Sequence, residues 1–236
     1  MNLLLFLNSD IHSASALQLL SPHLQNHKIK IILSQKVGNV DALAPELLEM
    51  KRIEQLGAPE KFLELAGRLN AEIVSFSNVN SSEAVEEFLA FSPDLIISIR
   101  FGQIFKPSLI ATSRLGVLNL HSGILPNYRG VLASFWAILS GEKNLGTTLH
   151  FVRDAGIDTG DIVGFSRTEI DWNLSLVENI NNLYQDGCAL ISQALTKISA
   201  GEKIATLDQK TLGVGQYFSY PQKEDVAKFL KTMRLV

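Results

Sequence analysis

The fold is decided by the opening stretch of the chain, residues 2–33, which runs NLLLFLNSDIHSASALQLLSPHLQNHKIKIIL. Residues 2–7 form a short apolar run, which is typical of a strand covered on both faces. A polar turn follows, residues 15–25 then repeat apolar side chains at helical spacing, and residues 28–33 form a second apolar run. This strand–helix–strand order predicts two parallel strands joined by a right-handed crossover.

Strands and helices go on alternating along the chain. Further strands are predicted at residues 72–76, 95–99, from 117, at 147–152 and at 161–170, and further helices at residues 45–56, 59–69, 81–89, 106–111, 131–140, 174–198 and 224–230. This order predicts an α/β fold of Rossmann type, a mostly parallel sheet with helices on both faces. We expect residues 1–200 to form one domain and residues 201–236 to be a short C-terminal extension, too small for an independent domain.

Composition argues against several classes of protein. The chain has 236 residues, of which 46% are hydrophobic, so a sizeable core is expected. The net charge of −3 offers no broad basic field, which argues against a nucleic-acid partner. Cys188 is the single cysteine, and His23 and His27 share a helical spacing but lack a third ligand, so we expect no disulfide and no metal. We see neither a signal peptide nor a membrane span and expect a cytoplasmic protein without a membrane partner.

The turn between the first strand and the first helix, NSDIHSAS at residues 8–15, contains no glycine. Dinucleotide-binding folds carry G-x-G-x-x-G at this place, because glycine lets the backbone approach a pyrophosphate, so we do not expect NAD or FAD. Two interpretations stay open. The turn can be a helix start capped by Asn, Ser and Asp, or the free N–H groups of the helix can receive an anionic group.

Two polar side chains interrupt the predicted strand VLNLH. Asn119 and His121 point to the same face, because successive side chains of a strand alternate. Further on, Asp154, Asp158 and Asp161 lie in the glycine-containing loop DAGIDTGD. An amide, an imidazole and a carboxylate suit attack on a carbonyl group: the first two bind the developing oxyanion, and the carboxylate holds the imidazole and moves protons. On these grounds alone, a polar strand end with capping aspartates remains an open alternative.

Three other residues favour a structural role. His150 alternates with apolar residues in TTLHFV, which favours a satisfied buried histidine over a functional one. Cys188 lies inside the long predicted helix, and Trp136 lies on the helix that follows the polar turn, and both patterns are typical of packing.

Two segments, LNLHSGILPNYRG and FWAILSGEKNLGTTLHFVRDAGIDTGDIV, resemble the folate-dependent formyltransferase family over residues 94–170. That family transfers the formyl group of N10-formyltetrahydrofolate to a primary amine. The resemblance implies that Asn119, His121 and Asp158 are a catalytic triad and that residues 1–200 are the catalytic domain. Asn119 and protonated His121 would stabilise the tetrahedral intermediate, and Asp158 would keep His121 charged and relay the amine proton. The sequence departs from the family pattern at residues 131–134, which read VLAS where many members have Ala-x-Pro. This departure bears on the identity of the acceptor more than on the reaction.

The resemblance also implies the binding residues. We expect the folate to be held at Ile99, Phe101, Gly102, Gln103, Ile104, Leu125, Pro126, Asp154 and Gly156. We expect the acceptor to contact Asn8, Ser9, Arg100, Tyr128, Arg129 and Tyr217. The sequence does not choose which of these would hold phosphates.

Within the family, the chain is most like the compact sugar-nucleotide N-formyltransferases. Its aromatic tail, GQYFSYPQKEDVAKF, is similar to theirs, and it lacks the glycine-rich phosphate loop of the glycinamide ribonucleotide transformylases. We therefore expect a dTDP-4-amino-4,6-dideoxyhexose, or another dTDP- or UDP-linked amino sugar, as the acceptor, with a role in lipopolysaccharide O-antigen biosynthesis, and we expect a homodimer. The alternatives are a glycinamide ribonucleotide or methionyl-tRNA acceptor, or a non-catalytic folate-binding protein.

Overall fold

The computed structural model describes residues 1–34 and 43–236. Its strands in chain order are β1 (Asn2–Asn8), β2 (Lys28–Ser34), β3 (Glu72–Val74), β4 (Leu95–Ile99), β5 (Val117–His121), β6 (Arg129–Gly130), β7 (Asn144–Val152), β8 (Ile162–Glu169) and β9 (Tyr217–Phe218). Its helices are α1 (Ile11–Leu24), α2 (Pro45–Gln55), α3 (Ala58–Leu69), α4 (Ser82–Phe91), α5 (Pro107–Ile110), α6 (Ala133–Leu139), α7 (Leu176–Ser199) and α8 (Lys223–Phe229).

The main sheet has seven strands in the order β3-β2-β1-β4-β5-β7-β8. The pairs from β3 to β5 are parallel, whereas β7 pairs antiparallel with both β5 and β8. The predicted α/β fold with a mostly parallel sheet is therefore confirmed. The antiparallel end has a consequence for the site, because it sets residues of β5 directly opposite residues of β7.

The core lies on both faces of this sheet. In β1, Leu3, Leu5 and Leu7 face the larger cluster, which α1, α2, α3, α6, α7 and α8 complete, whereas Leu4 and Phe6 face a smaller cluster that includes side chains of α4 and α5. The alternation of strand side chains explains why an unbroken apolar run fits here, since both faces need apolar cover. Helices on both faces are thus confirmed.

Helix α1 begins at Ile11, earlier than the predicted start at Ser15. The reason is its cap: Asp10 has extended backbone geometry, and its Oδ1 accepts from the backbone N–H of Ser13 at 2.7 Å. The polar turn is therefore short, and the carboxylate of Asp10 lies at the N-terminus of the helix. Of the two interpretations of this turn, the structure contains the capped one.

The C-terminal tail packs along the main body of the fold. The predicted aromatic loop contains β9, which pairs in parallel with β6 in a separate two-stranded sheet. Phe218 stacks on Trp136 at 4.9 Å between ring centroids, and Phe229 of α8 stacks on Phe135 at 4.3 Å. Within residues 1–34 and 43–236, no helix combines the length and apolar character that a membrane crossing requires.

Candidate active site

Strand β5 carries two of the predicted site residues on one face. The neighbours of Asn119 and His121 in sequence, Leu118 and Leu120, point into the larger core cluster, so the two polar side chains point the other way. His121 is buried, and its Nε2 donates to the main-chain oxygen of Tyr128 at 2.6 Å. Its Nδ1 lies 3.5 Å from Oδ2 of Asp158. Each ring nitrogen of His121 thus faces an oxygen acceptor.

His150 is a fourth member of this cluster. The antiparallel register of β5 and β7 sets His150 directly opposite Asn119, so the two side chains share a face. Nδ1 of His150 lies 3.0 Å from the carbonyl oxygen of Phe151, which can only accept, so Nδ1 carries a proton. In the neutral ring Nε2 is then an acceptor, and Nδ2 of Asn119 donates to it at 3.0 Å.

Asp158 reaches the cluster from the loop between β7 and β8. Its backbone has φ +53°, in the left-handed region, and its Oδ2 accepts from the N–H of Gly130 at 2.9 Å. Its Oδ1 lies 3.5 Å from Nε2 of His150. The loop is held by Gln209, whose Nε2 donates to the carbonyl oxygen of Gly160 at 3.0 Å. The carboxylate is therefore positioned between two imidazoles by contacts from three segments of the chain.

The electrostatics of the cluster favour a charged carboxylate. Burial by itself would raise the pKa of Asp158. His121, the N–H of Gly130 and, when its Nε2 carries a proton, His150 outweigh burial and hold the pKa of Asp158 well below its usual range. Asp158 is therefore an anion at neutral pH, able to accept a proton from a cationic group or to stabilise a charged imidazole. Among the residues that the structure describes, no group of three or more His, Cys, Asp or Glu side chains is arranged to hold a metal ion.

A cavity of about 630 Å³ opens over this cluster. The segment after β4 and the end of β5 line it, as expected of a ligand site at the carboxyl ends of parallel strands. The triad predicted from sequence, Asn119, His121 and Asp158, lies in its wall together with His150. The volume falls within the range of small-molecule binding sites, about 300–1,000 Å³.

Many of the predicted binding residues lie in the wall of the same cavity. Those from the expected folate set are Phe101, Gly102, Gln103, Ile104, Asp154 and Gly156, and those from the expected acceptor set are Arg100 and Tyr217. The segment after β4 and the C-terminal tail, which are far apart in the sequence, therefore line the same cavity. Their roles stay predictions.

Other predicted binding residues lie outside the described part of the cavity wall. Ile99 is fully buried in β4, where it faces the larger core cluster. Leu125 is buried, and the carbonyl oxygen of Pro126 accepts from the N–H of Gln216, so the tail covers this turn. Asn8 is buried at the end of β1, with its Nδ2 donating to Asp10.

Ser9, Tyr128 and Arg129 are also placed away from the described cavity wall. The N–H of Ser9 donates to the carbonyl oxygen of Ser34, which ties it to β2. Tyr128 lines a second, smaller cleft of about 200 Å³, where its hydroxyl donates to Glu142. Arg129 lies in β6, with its backbone N–H bound to the tail and its Nε buried without a hydrogen-bond partner in the described residues. Any ligand role of these three residues stays a prediction.

Arg100 is in the cavity wall, but its guanidinium is already paired. The backbone of Arg100 has φ +56°, and the side chain turns towards the start of α1. Its Nε donates to Oδ2 of Asp10 at 2.8 Å, and its Nη2 lies 3.3 Å from both carboxylate oxygens of Glu54, which also contacts His12. Burial would lower the pKa of Arg100, yet Asp10 and Glu54 raise it above its usual value. Its single positive charge is therefore shared by two buried carboxylates.

Sequence reasoning missed several cavity residues, among them His150 and two residues of α2. His150 looked like a core histidine from its apolar neighbours, and only the β5–β7 register reveals that it lies beside Asn119. Lys51 and Glu54 of α2 also line the cavity. Their helical spacing could have grouped them on one face, but nothing in the sequence relates that face to β5.

The formyl transferase family model matches residues 4–195, which include all four residues of the cluster. The chain belongs to the formyl transferase family. The match begins well upstream of the segment that carries the sequence motifs and ends before the tail. Family membership is thus carried by the whole sheet, whereas β9 and α8 lie beyond the matched residues.

Individual relatives come from several branches of the family. The chain is 30% identical over 167 residues to a methionyl-tRNA formyltransferase of Syntrophomonas wolfei, which covers 71% of this chain and 52% of that protein. It thus spans about half the length of that relative. Its fold is similar to phosphoribosylglycinamide formyltransferase of Bacillus halodurans, with a TM-score of 0.62 and 18% identity over 84% of this chain and 95% of that one.

It is also similar to an N-formyltransferase of Helicobacter canadensis in complex with folinic acid and dTDP-3-aminofucose. The TM-score is 0.58 and the identity 20%, over 95% of this chain and 71% of that one. At these identities both structural likenesses concern the fold alone.

Proposed function

We propose that this chain is an N-formyltransferase that moves the formyl group of N10-formyltetrahydrofolate to the primary amine of a nucleotide-linked amino sugar. The observation that carries the reaction type is the cluster of Asn119, His121, His150 and Asp158 in the wall of one cavity. It joins a positioned amide donor, two imidazoles and an anionic carboxylate, the groups that acyl transfer to an amine requires.

The chemistry follows from these groups. The lone pair of the neutral amine forms a bond to the formyl carbon while the carbonyl electron pair moves to oxygen. One hydrogen of Asn119 Nδ2 is engaged by His150, so the other is available for that oxyanion, and a protonated His121 adds electrostatic stabilisation. Asp158 accepts the proton that the amine nitrogen loses, directly or through water. Collapse of the intermediate then breaks the bond between the formyl carbon and N10, and N10 takes up the proton that Asp158 had accepted, directly or through water.

The segment after β4 is the proposed folate side of the cavity. Phe101, Gly102, Gln103 and Ile104 line the wall there, and Ile104 is largely exposed although it is apolar. A flat heteroaromatic ring has apolar faces and polar edges, so a wall of apolar side chains with accessible main-chain groups suits it. The Helicobacter canadensis protein with a similar fold was crystallised with folinic acid, a formylated folate, which supports the same donor class here.

Two features support a nucleotide sugar as the acceptor. First, the turn after β1 is where a glycinamide ribonucleotide enzyme would hold its phosphate at the start of a helix. Here the carboxylate of Asp10 occupies the N-terminus of α1 and is paired with Arg100, which disfavours a ribonucleotide acceptor at this turn. Second, Tyr217 of the tail lines the cavity. The coverages of this chain also favour a sugar nucleotide over a ribonucleotide. The ribonucleotide enzyme of Bacillus halodurans covers 84% of this chain, whereas the Helicobacter canadensis protein, bound to an amino sugar nucleotide, covers 95%.

The test is a product assay with alternative acceptors. The purified protein is incubated with N10-formyltetrahydrofolate and, separately, with dTDP- and UDP-linked amino sugars, glycinamide ribonucleotide and initiator methionyl-tRNA, and products are identified by mass spectrometry. We expect a formylated sugar nucleotide with the wild-type protein and none with the Asn119→Ala variant. Formylation of none of the sugars would refute this acceptor class.

A methionyl-tRNA acceptor is the second candidate, favoured by the 30% identity to the Syntrophomonas wolfei enzyme. In that case the tRNA arm of the same assay yields product and the sugar arms do not. Folate binding without product in any arm would instead support a non-catalytic folate-binding protein.

A further inference from the structure

Lys51 of α2 is a cation in the cavity wall that the chemistry above does not use. Its side chain is half-buried, and its Nζ lies 5.1 Å from the centroid of the Tyr220 ring in the tail. Within residues 1–34 and 43–236 no carboxylate lies within ion-pair distance of this ammonium, and no hydrogen bond is made to it. It therefore differs from Arg100, whose charge is shared by two carboxylates.

The nearest carboxylates are already engaged. Glu54 and Asp10 attract Lys51 through space, but Glu54 contacts Arg100 and His12, and Asp10 contacts Arg100 and the N-terminus of α1. Burial lowers the pKa of Lys51, and the positive charge of Arg100 also lowers it, whereas Glu54 and Asp10 raise it. A partly desolvated ammonium that contacts a ring face but no anion is costly, and an anionic ligand in the cavity would relieve that cost.

An aromatic ring lies in the same wall. Tyr217 of β9 lines the cavity, and its side chain is 49% exposed, which is high for a large ring. The tail that carries it is fixed by the pairing of β9 with β6 and by the stack of Phe218 on Trp136. A ring held in this way offers a flat surface to a planar group of a ligand.

On this basis we infer that α2 and the tail form the acceptor's nucleoside-diphosphate subsite, with Lys51 bound to a phosphate oxygen and Tyr217 stacked on the base. The inference rests on the proposed function, because it assigns a part of the same cavity to the acceptor. It adds which part of the acceptor each residue binds: Lys51 binds the diphosphate, and Tyr217 binds the planar base. It also explains how residues outside the family match, 4–195, take part in acceptor choice.

The test separates the two contacts with two probes, dTDP and inorganic pyrophosphate, measured by calorimetry. Replacing Lys51 by Met keeps the aliphatic stem over Tyr220 and removes only the charge, so we expect both probes to bind about 10- to 100-fold more weakly, the range for a hydrogen bond to a charged group. Lys51→Arg should restore most of the affinity. Tyr217→Ala should weaken dTDP binding and leave pyrophosphate binding unchanged.

Arg52 provides the matched control. It is the next residue on α2, pairs with Glu49 and is exposed, so Arg52→Met removes one positive charge from the same helix outside the cavity. We expect Arg52→Met to bind both probes like the wild type, and all variants to bind folinic acid equally, which shows that they are folded.

The possible results decide the subsite and the proposed function independently. Equal affinity of wild type and Lys51→Met for both probes, or failure of the wild type to bind dTDP, would overturn the subsite. If an amino sugar nucleotide is formylated with the same KM by Lys51→Met, the proposed function stands and the subsite falls. If Lys51→Met loses dTDP affinity but no sugar is formylated, the subsite stands and the proposed acceptor falls.

Discussion

The Nδ2 of Asn119 lies 3.0 Å from Nε2 of His150 on the adjacent strand. The carbonyl oxygen of Phe151 fixes the proton of His150 on Nδ1, so Nε2 can receive a hydrogen bond. This orients the amide of Asn119 so that its NH₂ group, and not its oxygen, faces His150. A residue that looks like core in the sequence therefore determines how the amide of Asn119 is oriented in the cavity wall.

The first prediction follows from that contact. Replacing His150 by Phe preserves a buried ring but removes the acceptor, so Asn119 is free to rotate. We expect kcat for formyl transfer to fall about tenfold, the loss that about 1.4 kcal/mol of transition-state stabilisation produces. KM for the folate should be unchanged, because the contact lies at the amide and not in the segment after β4.

A double-mutant cycle provides the control for this prediction. If His150 acts through Asn119, adding His150→Phe to Asn119→Ala should cause little further loss of kcat, because both changes remove the same donor. Additive losses would show that His150 acts independently of Asn119, and an unchanged kcat in the single variant would show that it only packs.

The second prediction concerns the pH dependence of stability through Asp158. Its pKa is lower in the folded protein than the unfolded value of about 3.9, so its contribution is fully present above that value and is lost as pH falls through the folded pKa. The difference in free energy of unfolding between wild type and Asp158→Asn should thus be larger at pH 5 than at pH 3, with the decrease below about pH 4. Urea unfolding at several pH values measures it.

Other buried carboxylates, such as Asp10, titrate in both proteins and cancel in that difference. If the difference in free energy of unfolding between wild type and Asp158→Asn stayed the same at pH 3, the charge of Asp158 would not stabilise the fold. The same variant should lose most of its activity, because its neutral amide cannot accept a proton from the amine.

The local elements could be predicted from the sequence because short-range physics decides them. The apolar run of β1 and the helical spacing after it predicted the parallel sheet, and the alternation in VLNLH predicted that Asn119 and His121 share a face. The start of α1 was placed too late because Asp10, the cap, was treated as part of a longer turn. Capping depends on side-chain geometry that periodicity does not contain.

Contacts between distant segments could not be predicted. The position of His150 opposite Asn119 depends on the antiparallel register of β7, which the sequence of TTLHFV leaves open. The tail strand β9 is only two residues long and pairs with a two-residue strand far away in sequence, so neither propensity nor periodicity indicates it. The cavity wall contributed by Lys51 depends in the same way on long-range packing.

The third prediction distinguishes a structural role of Arg100 from a ligand role. Replacing Arg100 by Met leaves Asp10 and Glu54 buried without their partner, so we expect a loss of about 3–5 kcal/mol in the free energy of unfolding at pH 7. Without Arg100, burial is opposed by fewer partners, His12 and the N–H of Ser13 among them, so the pKa of both carboxyl groups rises. Folded Arg100→Met then takes up protons at a higher pH than the folded wild type, so the stability deficit should narrow as pH is lowered.

Arg114 is the control for this variant, because its ion pair with Asp94 is exposed and Arg114→Met should lose no more than about 1 kcal/mol. If Arg100→Met were as stable as Arg114→Met and instead lost affinity for dTDP, Arg100 would be a phosphate ligand, a role that its place in the expected acceptor set allows.

The fourth prediction concerns the junction between the tail and the site. Gly130 has φ +96°, and a Cβ there would contact the carbonyl oxygen of Phe218 and lie 2.8 Å from the ring of Tyr217. Gly213 has a similar φ of +102°, but a Cβ there would meet no atom of the described residues within 4 Å. Gly213→Ala should therefore lose only backbone strain, about 1–3 kcal/mol in the free energy of unfolding.

Gly130→Ala should lose more than Gly213→Ala, and it should also lower kcat, because the N–H of Gly130 binds Asp158 at 2.9 Å. Urea unfolding and steady-state kinetics on both variants measure these two effects. Equal stability of the two variants together with unchanged kcat would show that the β6–β9 contact does not position the carboxylate.

The last prediction tests whether residues 201–236 are an extension of the domain rather than an appendage. Val226, Phe229, Met233 and Leu235 are buried in the larger core cluster, and the N–H groups of Leu176 and Val177 at the start of α7 donate to carbonyl oxygens of the last residues. Each buried apolar side chain contributes about 1.5–3 kcal/mol, and a domain of this kind has a total stability of only about 5–15 kcal/mol. A fragment of residues 1–200 should therefore fail to unfold cooperatively in urea.

Two point variants on α8 refine this test in the full-length chain. Phe229 is fully buried against Phe135, so Phe229→Ala should lose about 3–5 kcal/mol in the free energy of unfolding. Its neighbour Leu230 is 44% exposed, so Leu230→Ala should lose much less. If the 1–200 fragment unfolded cooperatively and Phe229→Ala were as stable as Leu230→Ala, the main domain would not depend on its tail. The acceptor side of the cavity would then rest on a segment free to move away from it.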